Sequence, residues 1–196
     1  MNIKKFFGFT LNETLMAMAI VGVIAALTVP NIMMNYAKQT YVTALKKNVV
    51  ELESALTLFQ TENYKGNLYT SELATSPKNF MQKYLNLRKN CNIIAQPCFA
   101  ESYGTVNAPN AKVAFTCDNG NTALLGGGAA LCIKPALKEP KTPAIAYIDI
   151  NGRDKPNIGG RDMFTFNINM DYTIDVIEPN INENLEIGRA SCRERV

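Results

Sequence analysis

Hydrophobic and polar residues form three successive patterns along this chain of 196 residues. The first is an uncharged, mostly apolar run, because no charged side chain occurs between Glu13 and Lys38. A helix needs about 20 such residues to cross a bilayer. We therefore predict a membrane-spanning helix, preceded by a short leader whose only charged residues are Lys4 and Lys5.

The second pattern is an apolar stripe at helical spacing in the residues that follow. Its members are three or four positions apart, which places them on one face of a helix. They are Tyr41, Leu45, Val49, Leu52, Leu56 and Phe59. We predict one helix from about Thr10 to Glu62, whose C-terminal half uses this stripe to pack against a globular domain.

The third pattern predicts one short helix and then strands. Ser76 and Pro77 are suited to the N-cap and first turn of a helix that ends near Leu87, and residues 91–109 have the composition of a loop. Alternating or β-rich runs predict strands at 112–117, 122–125, 130–133, 144–150, 163–170 and 172–177. The turn sequence at 118–120 favours a hairpin between the first two strands. The fold class is therefore α+β, with a long N-terminal helix on a small antiparallel C-terminal sheet.

The order of the N-terminal parts distinguishes this segment from a secretory signal peptide. In a signal peptide, the apolar region precedes the cleavage site and is removed with it. Here the candidate cleavage point, after Gly8, precedes the apolar run, so the processed chain would keep its membrane helix. Positively charged flanks stay in the cytoplasm, which places the remainder of the chain outside it.

These residues resemble a known family. Lys4-Lys5, then Gly8, then Phe9-Thr10-Leu11-Asn12-Glu13 and an apolar run to Pro30 are similar to the type III signal of type IV pilins and type II secretion pseudopilins. The resemblance implies that a prepilin peptidase cuts after Gly8 and methylates the new N-terminus at Phe9. It implies a pilin-like fold, other pilin or pseudopilin subunits, an inner-membrane assembly platform and membrane lipid as partners.

Three residues of the apolar helix have assembly roles by this resemblance. Glu13 would pair with the Phe9 amine of a neighbouring subunit, because a carboxylate in a bilayer needs a partner. The alternative is that Glu13 reaches the aqueous interface near the cytoplasmic face. Gly22 and Pro30 weaken the helix. They mark either a tolerated kink or, as in the family, a point of unwinding in a filament.

The resemblance and the composition together divide the chain into four parts. Residues 1–8 are a leader that is removed, 9–35 a transmembrane and assembly helix, and 36–185 an exported domain. Residues 186–196 are abruptly rich in arginine and are interpreted as a non-native tail, with a genuine basic tail as the alternative. The protein would reside in the inner membrane as a single-pass protein and then in a pilus or pseudopilus at the cell surface.

Composition restricts the classes of function. The chain has no histidine, which removes histidine bases and histidine-ligated metals. Its 20 basic and 17 acidic residues become equal in number without the two leader lysines and the three arginines and two glutamates of the tail. Near-neutral charge makes nucleic acid an unfavoured partner, although Lys134, Lys138 and Lys141 would allow a local basic patch. Without a catalytic motif, we predict that the chain is not an enzyme.

The cysteine count indicates disulfides in an exported domain. Without Cys192 of the tail, four cysteines remain, an even number outside the cytoplasm. The competing interpretation is a zinc site, which the lack of a Cys-x-x-Cys motif and of histidine disfavours. Four cysteines allow three pairings. Because each closes a local loop, we favour the pairs Cys91 with Cys98 and Cys117 with Cys132.

A second oxygen-rich motif lies near the C-terminus. Residues 149–162 resemble a stretch found in many pilin-like proteins, with Asp149, Asn151, Asp154 and Asp162 as candidate ligands for calcium. The glycine at the fourth position excludes an EF-hand loop. The alternative is an ordinary Asn-Gly turn flanked by aspartates that cap backbone groups.

The favoured function is a structural subunit, a prepilin of a type IV pilus or type II secretion pseudopilus. The alternative is a minor pilin that acts as an adhesive or DNA-binding module at the cell surface.

Overall fold

A computed structural model of the chain describes residues 10–62, 67–91, 97–117, 121–136 and 142–177. The predicted leader, Gly8, Phe9, and the predicted tail lie outside the described residues. The chain divides into two compact units, with the boundary between Thr40 and Tyr41.

The described part of the first unit, residues 10–40, belongs almost wholly to helix α1, Leu11–Glu62. The helix continues through both Gly22 and Pro30. Threonine hydroxyls in its apolar part bond back to the helix, Thr14 Oγ1 to the Leu11 carbonyl at 2.8 Å and Thr28 Oγ1 to the Ile24 carbonyl at 2.9 Å. Such internal bonds satisfy polar groups that hydrocarbon could not.

In the second unit, the C-terminal part of α1 supplies one side of the hydrophobic core. Leu45, Leu52, Leu56 and Phe59 are buried, and Tyr41 and Val49 pack against the same core. The predicted stripe and the predicted end of the helix at Glu62 are both confirmed.

The other helical elements are short. A 3₁₀ turn spans Leu68–Thr70, α2 spans Glu72–Thr75 and α3 spans Pro77–Tyr84. Ser76 is the N-cap residue of α3, as predicted, although its side chain makes no capping bond. The predicted end near Leu87 was wrong, because the chain is extended from Leu85 onwards.

Nine strands of the described residues form one sheet. They are β1 (Leu87–Asn90), β2 (Ser102–Thr105), β3 (Val113–Ala114), β4 (Thr122–Leu125), β5 (Ala130–Pro135), β6 (Ala144–Asp149), β7 (Ile158–Gly159), β8 (Met163–Ile168) and β9 (Ile174–Val176). The order is β1-β4-β5-β6-β8-β7-β2-β3, and β9 also pairs with β8.

The sheet departs from the prediction in three ways. It is mixed rather than antiparallel, because β7 runs parallel to both β2 and β8. The predicted loop at 91–109 contains β2, and the predicted hairpin between 112–117 and 122–125 is not formed. Instead β3 pairs with β2, and β4 lies between β1 and β5. Local turn chemistry at 118–120 did not reveal these long-range partners.

Both faces of the central strands are buried, and successive side chains point to opposite faces. On β5, Leu131 and Ile133 face the core that contains α1, while Ala130 and Cys132 face a second cluster. That second cluster holds all four cysteines of the described residues together with aromatic rings. The sheet is therefore a layer between a helical side and a disulfide-bonded side.

Candidate functional site

The first candidate site is the apolar part of α1. Its large side chains are exposed in the isolated chain, with Leu11 79%, Met18 71% and Leu27 70% exposed. By length and composition, this is the one helix among the described residues that could cross a membrane. The exposed apolar surface is far beyond the scattered residues that a soluble surface carries.

Glu13 lies at the start of this helix in a capping box. Its Oε2 accepts hydrogen bonds from the Thr10 backbone N–H and the Thr10 hydroxyl, both at 2.9 Å. In return the Glu13 backbone N–H donates to Thr10 Oγ1 at 3.3 Å. A threonine followed three residues later by glutamate is the sequence signature of this motif. Thr10 and Glu13 carry this signature in the sequence, but the capping box was not predicted from it.

The capping box gives Glu13 a role within one chain. Both Thr10 bonds use Oε2, so Oε1 has no partner among the described residues. The predicted pairing with the Phe9 amine lies partly outside the described residues and stays a prediction. Gly22 leaves open space around it, since an added Cβ would meet nothing within 4 Å.

The second candidate site is the segment that joins β6 to β8. Asp149, at the end of β6, is fully buried. One of its oxygens accepts a short hydrogen bond from the Tyr103 hydroxyl, and the other accepts from the Asn151 N–H at 3.2 Å. The Tyr103 hydroxyl in turn accepts from the Ala100 N–H at 3.1 Å. This network ties β6 to the chain around β2.

The Asp162 side chain holds the turn that precedes it by accepting hydrogen bonds from its backbone. Its two carboxylate oxygens accept from the backbone N–H groups of Asn157 and Ile158, each at 2.6 Å. The Ile150 N–H donates to the Asp162 carbonyl at 2.8 Å, which brings the two ends of the segment together. Asp149 and Asp162 are therefore close neighbours, while their side chains hold separate parts of the backbone.

The middle of the segment is organised by Asn151. Its Nδ2 donates to the carbonyls of Asp154 and Lys155, at 2.9 and 3.0 Å. Gly152 has a φ of +68°, which favours glycine. The side-chain oxygens of Asn151 and Asn157 are buried and have no hydrogen-bond partner in the described part of the chain.

Burial perturbs the two acids. Desolvation raises the pKa of Asp149 to about 7, against the opposing effect of the Tyr103 hydrogen bond. Desolvation also raises the pKa of Asp162, while its bonds from Ile158 and Asn157 lower it. The pKa of the Tyr103 hydroxyl is raised, first by burial and then by the Asp149 charge.

The four candidate calcium ligands do not converge as they stand. Asp154 is exposed, and both oxygens of Asp162 already accept bonds. Over the described ranges, no group of three or more Asp, Glu, Cys or His residues is placed to hold a metal ion. The geometry fits the alternative from the sequence, aspartates that cap backbone groups, and calcium binding stays a prediction.

The cysteines are paired as the sequence favoured. Cys91 and Cys98 form a disulfide with their Cα atoms 5.8 Å apart, and Cys117 and Cys132 form another with their Cα atoms 6.4 Å apart. Phe115 packs beside them, with its ring 4.8 Å from Phe99. The packing of aromatic rings beside the disulfides was not predicted from the sequence.

Of the three lysines that could form a local basic patch, Lys134 alone lies within the described residues. Lys134 Nζ donates to the Thr116 carbonyl at 2.9 Å, while Lys138 and Lys141 lie outside the described residues.

Comparisons of the chain with protein-family models, curated proteins and solved structures found no match.

Proposed function

We propose that this chain is a prepilin, a structural subunit of a type IV pilus or type II secretion pseudopilus. The observation that carries the proposal is the contrast within α1. One continuous helix has an exposed apolar N-terminal part and a C-terminal part that forms the core of a disulfide-bonded α+β unit. The resemblance at residues 4–30 supports the same function.

The physical mechanism is burial of the apolar helix against copies of itself. In a bilayer, lipid covers side chains such as Leu15 and Ile24. Outside it, each large side chain left in water forgoes about 1.5 to 3 kcal/mol relative to burial. A subunit drawn out of the membrane therefore needs neighbouring helices to cover the same surface, and the filament supplies them.

The exported part has the features that such a subunit requires. Two disulfides stabilise a domain outside the reducing cytoplasm. The C-terminal part of helix α1 contributes Leu52, Leu56 and Phe59 to the core of the second unit.

The test is intact mass and N-terminal sequencing of membrane-extracted protein. We expect a chain that begins at N-methylated Phe9. The matched control is Gly8→Val, which should keep Met1 and remain in the membrane. A wild-type chain that begins at Met1, or after Val29, removes the basis of the proposal.

A further inference from the structure

A cavity of about 200 Å³ lies on the disulfide-bonded side of the second unit. Its wall includes Cys98, which is bonded to Cys91, and Cys117, which is bonded to Cys132. Two covalent cross-links therefore hold the wall in place, as is usual for the largely preformed sites that bind small molecules. The described residues that line this cavity have no role in the assembly helix or in residues 149–162.

The lining is mainly apolar and includes two aromatic rings. The rings of Phe99 and Phe115 lie 4.8 Å apart between centroids. Phe115 also contacts Tyr103 and Tyr147 edge to face, at 5.7 and 5.3 Å between centroids, which fixes its orientation. An apolar cavity of about 150 Å³ is enough to bind benzene. The cavity beside Phe99 and Phe115 is therefore large enough for one aromatic ring with a short substituent.

Glu101 is the one charged residue among the described residues that line the cavity. Its side chain is exposed and forms no ion pair, because the ion pair in the described part of the chain joins Lys83 to Glu62. The Thr122 hydroxyl, also in the lining, is satisfied, since it donates to the Cys91 carbonyl at 3.1 Å. An unpaired carboxylate beside aromatic rings favours a cation, because the faces of such rings also attract positive charge.

We propose that this cavity binds a small organic cation, an aromatic ring that carries a primary ammonium group on a short stem. The ring fills the cavity against Phe99 and Phe115, and the ammonium lies at the Glu101 carboxylate. This binding does not rest on the assembly function, because the apolar part of α1 does not contribute to the cavity. The alternative is a surface hollow beside a solvated glutamate, which would show no preference for a charged ligand.

The test compares two ligands of nearly the same shape, 4-fluorobenzylamine and 4-fluorobenzyl alcohol, at pH 7. Fluorine NMR titrations follow the binding of each ligand to the detergent-solubilised full chain, with protein-free micelles as the blank. Exposed ion pairs change an affinity by up to about fivefold. We therefore expect the charged amine to bind about fivefold more tightly than the neutral alcohol.

Glu101→Gln is the matched variant, because it removes the charge at an exposed position and keeps the shape of the side chain. We expect it to bind the amine about fivefold more weakly and the alcohol as before, so that the preference disappears. Glu53→Gln, which changes an exposed acid of α1 outside the cavity, should keep the wild-type preference.

Phe115→Ala tests the aromatic wall, and it should weaken the binding of both ligands because it removes a ring that they contact. If this variant does not fold, Glu101→Gln decides alone. Overturning results are no binding of the amine above the micelle blank, equal affinities of the two ligands for the wild type, or a preference for the amine that survives in Glu101→Gln. Loss of the preference in Glu53→Gln would also overturn the proposal, because that acid lies outside the cavity.

Discussion

The N-terminal and C-terminal parts of helix α1 differ in the exposure of their apolar side chains. In the N-terminal part, Leu27 is 70% exposed, whereas in the C-terminal part Leu56 is fully buried and Phe59 is 1% exposed. The second part finds its apolar partners within the chain, in α3 and the sheet. The first part must find them in lipid or in other chains. Substitutions should therefore affect assembly in one part and folding in the other.

The largest expected effect is on assembly, through Glu13. If its charge pairs with a neighbouring terminus, both Glu13→Ala and Glu13→Gln should block incorporation beside wild-type subunits while cleavage at Gly8 continues. Glutamine keeps the capping box with Thr10 and removes only the charge. Incorporation is measured by immunoblotting of sheared filaments, and processing by mass.

The two variants separate two roles of the same side chain. Normal incorporation of Glu13→Gln with failure of Glu13→Ala would assign Glu13 to the cap rather than to charge pairing. Thr10→Ala, which removes both hydroxyl bonds of the capping box and keeps the charge, is the reciprocal control. Normal incorporation of all three would reject both roles.

Core truncation should give the next largest effect. The Phe59 ring contacts those of Phe80 and Tyr84 edge to face, each at 5.3 Å between centroids. Phe59→Ala is expected to lower the free energy of unfolding by about 3 to 5 kcal/mol. Leu27→Ala, the control in the exposed part, should change it by less than about 0.5 kcal/mol. Urea unfolding in detergent, followed by near-UV circular dichroism, makes the measurement. Equal losses in the two variants would contradict the contrast between the two parts.

A pH dependence should follow from Asp149. Its folded-state pKa is raised to about 7 from 3.8, so the folded state holds more protons than the unfolded state between these values. Stability is therefore greatest below the unfolded pKa and falls as pH rises towards 7, by on the order of 4 kcal/mol. Asp162 acts in the same direction. Unfolding in urea at pH 4 to 8 tests this.

Two variants isolate the contribution of Asp149 to that slope. Asp149→Asn should flatten it. Asp171→Asn should leave it unchanged, because Asp171 is exposed and bonds from Thr173 lower its pKa rather than raise it. A wild-type stability that rises between pH 4 and 7 would be inconsistent with a buried, neutral Asp149.

The two disulfides should contribute different amounts of stability, because they close loops of different length. The Cys117–Cys132 bond spans 15 residues and the Cys91–Cys98 bond spans 7. In the chain-entropy model, replacing each pair by alanine costs about 3 and about 2 kcal/mol respectively. Unfolding of the two double variants, with reduced wild-type protein as the control, tests the order. A larger loss from the shorter loop would show that native packing outweighs loop entropy.

The sequence predicted most reliably the features that depend on local spacing. The period of Leu45 to Phe59 specified the buried face of α1, and local loop closure favoured the observed cysteine pairs. It failed where a strand takes a distant partner. Nothing local to β3 indicates β2 as its neighbour, and the two-residue β7, parallel to β2 and β8, carries no recognisable run.

The oxygen-rich segment shows the same limit for a site. Sequence placed Asp149 and Asp162 in one motif, and the structure brings them together. The sequence could not show that Tyr103, more than 40 residues before Asp149, supplies the hydrogen bond to that acid. Strand β2, which carries Tyr103, is connected to β8 only through β7. The capping box was accessible from Thr10 and Glu13 alone, and was overlooked because the same glutamate had a role by resemblance.

Calcium should have the smallest effect on this fold, and its titration decides between the two interpretations of residues 149–162. If the ion binds, Asp154 must join Asp149 and Asn151, and millimolar calcium should raise the melting temperature of the detergent-solubilised chain. Asp154→Asn should reduce that rise, whereas Asp171→Asn, an exposed acid outside the segment, should not. Magnesium at equal concentration controls for ionic strength. Both Asp162 oxygens already accept backbone bonds at 2.6 Å, so they have partners within the segment. An unchanged melting temperature would therefore discard the calcium site and leave these aspartates as backbone caps.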